Sequence, residues 1–76
     1  MMPNVIVYTT PTCPYCVKVK ELLASKGVPY AEKDVSRDSA AAMELLRLTN
    51  GRNAVPVTTI DGNVVLGYDR ARLEHL

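Results

Sequence analysis

The Asp61-Gly62 dipeptide, which has a β-type segment on each side, restricts the possible fold more than any other feature of the sequence. Asp-Gly readily takes the positive φ angles of a two-residue hairpin turn. Residues 55–60 (VPVTTI) precede it and residues 63–66 (NVVL) follow it, and both segments are rich in the β-branched residues that strands favour. The sequence therefore predicts an antiparallel hairpin with strands over 55–60 and 63–66.

The first half of the chain alternates strand and helix patterns. Residues 4–9 form a β-branched and aromatic run that predicts a first strand, and residues 29–35 predict a second strand parallel to it. Between them, residues 14–26 have helical periodicity and Gly27 supplies the helix stop. The apolar positions of this helix are Cys16, Val17, Val19, Leu22 and Leu23. A βαβ unit is the expected result.

Two further helices complete the predicted α/β fold. Ser36 or Asp38 caps a helix that runs to about Thr49, and Asp69 caps a last helix over 70–76. The predicted buried positions are Ala42, Leu45, Leu46 and Thr49 in the first of these, and Leu73 and Leu76 in the second. The predicted order is β-α-β-α-β-β-α, with a mixed four-stranded sheet made of a parallel pair and an antiparallel hairpin and flanked by three helices.

Size and charge narrow the class of protein. A chain of 76 residues can bury one small core, so a single domain over residues 1–76 is expected. Nine basic residues are interspersed with eight acidic ones, which leaves no electrostatic footprint for nucleic acid or a membrane surface. Apolar runs are too short to span a bilayer, and the first residues lack the pattern of a secretory signal. A cytoplasmic protein is expected.

The two cysteines, Cys13 and Cys16, lie where the first strand passes into the first helix. Pro14 suits the first helical position, and the helix N-terminus favours an anion, so the thiolate of Cys13 is expected to be stabilised there. Cys16 follows one turn later on the same face, at a separation compatible with a disulfide. This arrangement predicts that Cys13 attacks a substrate disulfide and that Cys16 resolves the mixed disulfide.

The two cysteines could also be a structural pair or metal ligands. An inert bridge or packed thiols fit less well, because Cys-x-x-Cys beside a βαβ pattern is itself a redox signal. Zinc needs four ligands, whereas the chain offers two sulfurs and the distant His75, so no metal site within one chain is expected. His75 fits a helix-end cation. Lys18 and Lys20 add positive potential near the thiolate, although a solvated helix face accounts for both equally well.

Four segments together resemble the glutaredoxin family over nearly the whole chain: VYT at 7–9, CPYC at 13–16, Val55-Pro56 and Gly67-Tyr68-Asp69. The resemblance implies a thioredoxin-like fold and a thiol-disulfide oxidoreductase. Such an electron carrier reduces protein disulfides, glutathione mixed disulfides, or both. Within the family, Cys-Pro-Tyr-Cys looks like the dithiol glutaredoxins and the short glutaredoxin-like redoxins, and Pro14 supports that motif.

The resemblance also implies a substrate site. Pro56 would be a cis-proline facing the cysteines, and the Val55 backbone would pair with an incoming peptide or glutathione. Backbone amides of Gly67 and Tyr68, with Asp69, would hold the γ-glutamyl end of glutathione. The remaining predicted binding residues are Thr10, Tyr15 and Arg52. From the residues alone, a trans-proline opening an edge strand, Asp69 as a simple helix cap and Arg52 as a solvated loop residue stay open.

Four positions depart from glutathione-binding members, which commonly have Lys, Thr, Gly and Asp where this chain has Thr10, Ala54, Leu66 and Arg70. The chain therefore also resembles redoxins that a flavoprotein thioredoxin reductase reduces and that serve ribonucleotide reductase or a peroxidase. A glutathione-assisted dimer holding an iron-sulfur cluster is another alternative. A monomer without bound cofactor is expected, with glutathione as reductant or co-substrate and disulfide-containing proteins as clients.

Overall fold

The computed structural model describes residues 4–52 and 54–75. Along the chain, the elements are β1 (Val5–Thr9), α1 (Pro14–Ser25), β2 (Ala31–Asp34), α2 (Ser39–Leu48), β3 (Val57–Ile60), β4 (Asn63–Leu66) and α3 (Arg70–Leu73). Their order confirms the predicted α/β architecture. Strands β2 and β3 are shorter than the predicted ranges 29–35 and 55–60, and α1 ends one residue before its predicted end at Lys26.

The sheet has the strand order β2-β1-β3-β4, with β1 in an interior position. β1 runs parallel to β2 and antiparallel to β3, and β3 pairs antiparallel with β4. Asp61 and Gly62 have φ angles of 50° and 88°, which confirms the predicted two-residue hairpin turn. Because β1 is paired on both sides, the residues that follow it along the chain begin from a rigid position.

The core has one cluster on each face of the sheet, because successive residues of a strand point to opposite faces. Val7 of β1 belongs to the cluster that includes Val19 and Leu23 of α1 and Leu73 of α3. Its neighbour Tyr8 belongs to the other cluster, which includes Ala41 and Leu45 of α2 and Val57 of β3. Helices α1 and α3 therefore cover one face and α2 covers the opposite face.

The predicted buried stripe of α2 was partly wrong. Ala41, Leu45 and Thr49 are buried, whereas Ala42 is half-buried and Leu46 is exposed. The segment 40–48 (AAAMELLRL) has apolar residues on more than one side, so its periodicity allows more than one stripe. Contact with Tyr8 and Val57 selects the side that carries Ala41 and Leu45. Val17 of α1, which was also predicted to lie on the apolar face, is exposed.

Side-chain caps begin the helices α2 and α3. Asp38, one of the two predicted candidates, accepts the Ala41 N–H at 3.1 Å. Asp69 accepts the Arg72 N–H at 3.2 Å, as predicted for an N-cap. The α-helix that follows ends at Leu73, which is fully buried, so the prediction of a helix over 70–76 was wrong at residues 74 and 75, which form a turn. Leu76 lies outside the described residues. None of the helices in the described ranges has the length and apolar character needed to cross a membrane.

Candidate active site

Cys13 is the N-cap residue of α1. It has an extended backbone, with φ −94° and ψ 109°, and Pro14 occupies the start of the helix. The Cys16 N–H donates to Cys13 Sγ at 3.2 Å, so the sulfur takes the position that a capping oxygen usually holds. The Thr10 carbonyl accepts the Cys13 N–H at 3.4 Å and closes the preceding turn. An anionic sulfur at this position faces the positive end of the helix dipole.

The two thiols differ in access to solvent. Cys13 is partly exposed, whereas Cys16 is 1% exposed, and both are free thiols. Burial raises the pKa of Cys16 to about 12, and its interaction with Cys13 acts in the same direction. Cys16 is therefore a neutral thiol at neutral pH. Since an attacking sulfur must reach its substrate as a thiolate, this difference favours Cys13 for the first attack.

Val55 and Pro56 are joined by a cis peptide bond, as the family resemblance implied. Pro56 is buried and Val55 is half-buried. The Gly67 N–H donates to the Pro56 carbonyl at 2.9 Å, which links the segment before β3 to the segment after β4. That bond occupies the Gly67 amide.

An aromatic pair connects this segment to the cysteine motif. The Tyr15 and Tyr68 rings are stacked, with their centroids 6.4 Å apart and an interplanar angle of 23°. Tyr15 remains exposed, and the Lys18 ammonium lies 5.8 Å from its ring centroid. The structure therefore brings together three of the predicted segments, the cysteine motif, the Gly67–Asp69 segment and, through the Gly67 hydrogen bond, Pro56.

Arg52 and Asp69 line an open cavity of about 540 Å³ between the end of α2 and β4. The other residues lining this cavity are Leu48, Thr49, Asn50, Val64, Leu66 and Arg72. Neither cysteine lines it, so we locate the reacting groups from the geometry of α1 and not from cavity size. Arg72 is a cationic member of the cavity wall that the sequence interpretation missed.

Lys20 is a further residue whose position the sequence left undecided. It lies four residues after Cys16 on α1. Its ammonium donates to Glu32 Oε2 of β2 at 3.0 Å, and the Thr9 hydroxyl of β1 donates to the same oxygen at 2.8 Å. The spacing of four from Cys16 was the available signal, because residues at i and i+4 share a helix face. Lys18, in contrast, is exposed, as expected for a residue on a solvated helix face.

Metal ligation was tested on the same residues. Within 4–52 and 54–75, no group of three or more His, Cys, Asp and Glu side chains is close enough to hold a metal ion. His75 is exposed near the end of the described chain, and its N–H donates to the Arg72 carbonyl at 3.3 Å.

Comparison with known proteins matches this geometry. The glutaredoxin family model matches residues 5–65. The chain is 39% identical to an uncharacterized glutaredoxin-like 8.6 kDa protein from the rubredoxin operon of Clostridium pasteurianum, with 92% of each chain covered. It is 41% identical to glutaredoxin 3 of Escherichia coli K12, covering 90% of this chain and 81% of the relative.

Solved structures agree with the sequence matches. The thioredoxin-like protein BC3987 superposes with a TM-score of 0.88 at 42% identity, covering 95% of this chain and 97% of that one. A glutaredoxin from Archaeoglobus fulgidus superposes with a TM-score of 0.85 at 26% identity, covering 99% of this chain and 86% of that one. With its Cys-Pro-Tyr-Cys motif at the start of α1, this chain belongs to the glutaredoxin family of thiol-disulfide oxidoreductases.

Proposed function

We propose that this protein reduces disulfides of client proteins, and glutathione mixed disulfides, through a dithiol cycle in which Cys13 attacks and Cys16 resolves. The supporting observation is the unequal placement of the two sulfurs. Cys13 Sγ caps α1 and is partly exposed, whereas Cys16 is buried one turn behind it. The capping N–H and the positive end of the helix dipole face Cys13 Sγ, the accessible sulfur that can attack in disulfide exchange.

The cycle conserves sulfur and electrons. The Cys13 thiolate attacks one sulfur of the substrate disulfide, which forms a mixed disulfide and releases the other sulfur as a thiol after it takes up a proton. Cys16 then attacks Cys13 Sγ, breaks the mixed disulfide and releases the second substrate thiol. The protein leaves the cycle with a Cys13–Cys16 disulfide, and two electrons have passed to the substrate. A dithiol or two monothiols of an external reductant restore the starting state.

Replacing Cys16 with serine tests the assigned roles. We expect Cys16→Ser to accumulate a covalent adduct between Cys13 and a client disulfide, because the hydroxyl of serine does not displace a thiolate. Mass spectrometry of the intact protein after reaction with a small protein disulfide measures the adduct. Wild-type protein under the same conditions should hold on the order of tenfold less adduct. An adduct found on Cys16 in a Cys13→Ser protein, and none in Cys16→Ser, would reverse the assignment.

The substrate is proposed to bind as an extended segment beside Val55. Pro56 has no N–H to donate, and the half-buried Val55 lies two residues before the start of β3. A short peptide or glutathione can add to the backbone there as a strand adds to a sheet edge. The ring of Tyr68, in the Gly67–Asp69 segment, stacks on the ring of Tyr15, and we propose this pair as an aromatic contact for the substrate. Thr10 and Arg52 are proposed contacts for a substrate carboxylate at the ends of this groove.

Glutathione is the proposed reductant, acting in the cytoplasm, where thiols are kept reduced. A flavoprotein thioredoxin reductase is the second candidate, and two observations favour it. Leu66 stands 50% exposed immediately before Gly67, so its side chain narrows access to that backbone. Arg70 donates to the Glu74 carboxylate at 2.6 Å and offers no carboxylate to an incoming amino group.

The two donors can be compared directly. We expect the oxidised protein to be reduced by glutathione with glutathione reductase, and we expect Leu66→Gly to increase that rate several-fold because it opens the backbone. The same proteins are assayed with NADPH and thioredoxin reductase by following NADPH oxidation. Met43→Ala on the exposed side of α2 is the control. Reduction by thioredoxin reductase alone, with no response to glutathione in either protein, would identify the second candidate as the donor.

A further inference from the structure

The resolving step presents an electrostatic difficulty that the cysteines alone do not remove. Cys16 must lose its proton before it can attack, yet its side chain is buried, with only 1% of the residue exposed. Burial disfavours a charged sulfur and is the largest cause of the raised pKa of Cys16. A nearby cation would offset that penalty. A positively charged side chain near Cys16, held by contacts of its own, would be such a cation.

Lys20 is such a group. It lies four residues after Cys16, so the two side chains share one face of α1. Its side chain is 29% exposed, and its ammonium is held 3.0 Å from Glu32 Oε2. Thr9, which is buried on β1, donates to the same carboxylate oxygen at 2.8 Å. The lysine is thus paired with Glu32 of β2, whose side chain is 40% exposed and is itself bonded to Thr9 of β1.

We propose that Lys20 is a positioning residue for the resolving step: its ammonium, anchored through Glu32 to Thr9, favours the thiolate of Cys16 when Cys16 attacks the mixed disulfide. This inference rests on the proposed roles of the two cysteines. It adds a residue that the CPYC motif does not include. Lys20 stays protonated throughout, since the hydrogen bond that its ammonium donates to the Glu32 carboxylate raises the pKa of Lys20 above its usual value.

The importance of Lys20 increases once the mixed disulfide has formed. In the free dithiol, a hydrogen bond with Cys13 and the charge of Cys13 both oppose ionisation of Cys16. Both influences end when Cys13 Sγ is bonded to substrate sulfur. Burial then still opposes the ionisation of Cys16. A backbone hydrogen bond at Thr10 and the Lys20 charge favour the Cys16 thiolate. Cys16 attacks Cys13 Sγ, the bond to substrate breaks, and the proton lost from Cys16 is balanced by the one that the released thiol takes up.

Charged groups on the surrounding elements do not replace Lys20. On α1, Glu21 is exposed and the Lys18 ammonium lies over the Tyr15 ring. On β2, Asp34 acts on Glu32 and accepts from Ser36 at 2.5 Å, and Tyr30, just before this strand, influences Lys20. On α3, Arg70 is paired with Glu74, and Lys26 donates to the Glu74 carbonyl at 2.8 Å.

The test separates the two chemical steps in one assay. Reduced protein is mixed in a stopped-flow instrument with an aromatic disulfide, dithiobis(nitrobenzoate), whose released thiolate is coloured. Attack by Cys13 gives a first phase whose rate depends on reagent concentration, and resolution by Cys16 gives a second phase that does not. We expect Lys20→Gln to slow the second phase about 3- to 10-fold at neutral pH, the scale of losing one partly exposed charge, and to change the first phase less than about twofold.

The pH profile distinguishes electrostatics from misplacement. The rate of the second phase should increase with pH, and in Lys20→Gln, which lacks the charge, this increase should occur at higher pH than in wild type. Lys20→Arg, which keeps the charge, should give the wild-type pH profile. Lys33→Gln, which removes a lysine of β2 that is ion-paired with Glu44 at 3.5 Å, is the matched control and should leave both phases unchanged. If Lys20→Gln is unfolded, Lys20→Met, which keeps the apolar stem, replaces it. The same pH dependence of the second-phase rate in wild type and in the charge-removing variant would overturn the proposal. Absence of the first phase in wild-type protein would instead overturn the proposed roles of the cysteines.

Discussion

Cys13→Ser is expected to abolish disulfide reduction, lowering turnover on the order of 10³-fold or more, the scale of losing a covalent nucleophile. Serine can still accept the Cys16 N–H that now reaches Cys13 Sγ at 3.2 Å, so α1 keeps a capping side chain. Its hydroxyl does not ionise near neutral pH and forms no stable bond to substrate sulfur. Turnover of a protein disulfide, followed through oxidation of the electron donor, measures the loss.

Two comparisons make the Cys13 result specific. A circular dichroism spectrum and melting temperature close to those of wild type would show that Cys13→Ser is folded. Iodoacetamide should label Cys13 rapidly in native wild-type protein and leave Cys16, which is 1% exposed, largely unmodified until the protein is denatured. Peptide mapping identifies the labelled sulfur. Full activity in folded Cys13→Ser, or preferential labelling of Cys16, would contradict the mechanism.

Leu23→Ala is expected to have the largest effect on stability. Leu23 is fully buried in the cluster where α1 meets β1 and α3. Truncating a buried leucine costs about 2 to 5 kcal/mol through lost apolar contact and the cavity left behind. For a chain of 76 residues the whole free energy of unfolding is only about 4 to 11 kcal/mol. Urea unfolding followed by circular dichroism should therefore show a transition at much lower denaturant concentration.

The exposed side of α2 offers the matched control for this substitution. Met43 is 73% exposed, so Met43→Ala also removes a long apolar side chain from a helix but leaves no cavity in the core. Its free energy of unfolding should stay within about 0.5 kcal/mol of wild type. Similar losses in the two variants would mean that the α1 cluster does not stabilise the fold as described.

Much of the fold could be predicted because its signals are local. Asp61-Gly62 takes positive φ angles, so the β3–β4 hairpin follows from two residues. Asp38 and Asp69 cap their helices with their own side chains. The stripe of α2 was less predictable, since Ala42 and Leu46 are as apolar as the Ala41 and Leu45 that are buried. A helix with apolar residues on several sides has no single face until the sheet supplies a partner.

The candidate site likewise has residues that local sequence signals predicted and residues that they did not. Cys13, Pro14 and Cys16 were readable as a redox motif at a helix start, because their chemistry depends on one turn of helix. Arg52 and Asp69 were grouped with the cysteines by family resemblance, yet the cavity that they line contains neither sulfur. The roles of these binding residues stay predictions. Lys20 was not singled out, because its partner Glu32 lies on another element.

The sequence by itself determined the order of strands and helices, the hairpin, the helix caps and the pair of sulfurs, since each of these depends on the backbone preferences or spacing of neighbouring residues. Tertiary structure alone decided which side of α2 is buried, that β1 lies between β2 and β3, and that Thr9, Lys20 and Glu32 meet behind Cys16. These features join residues that are distant along the chain. No local propensity encodes such a contact, because its free energy is gained only when the sheet and helices pack together.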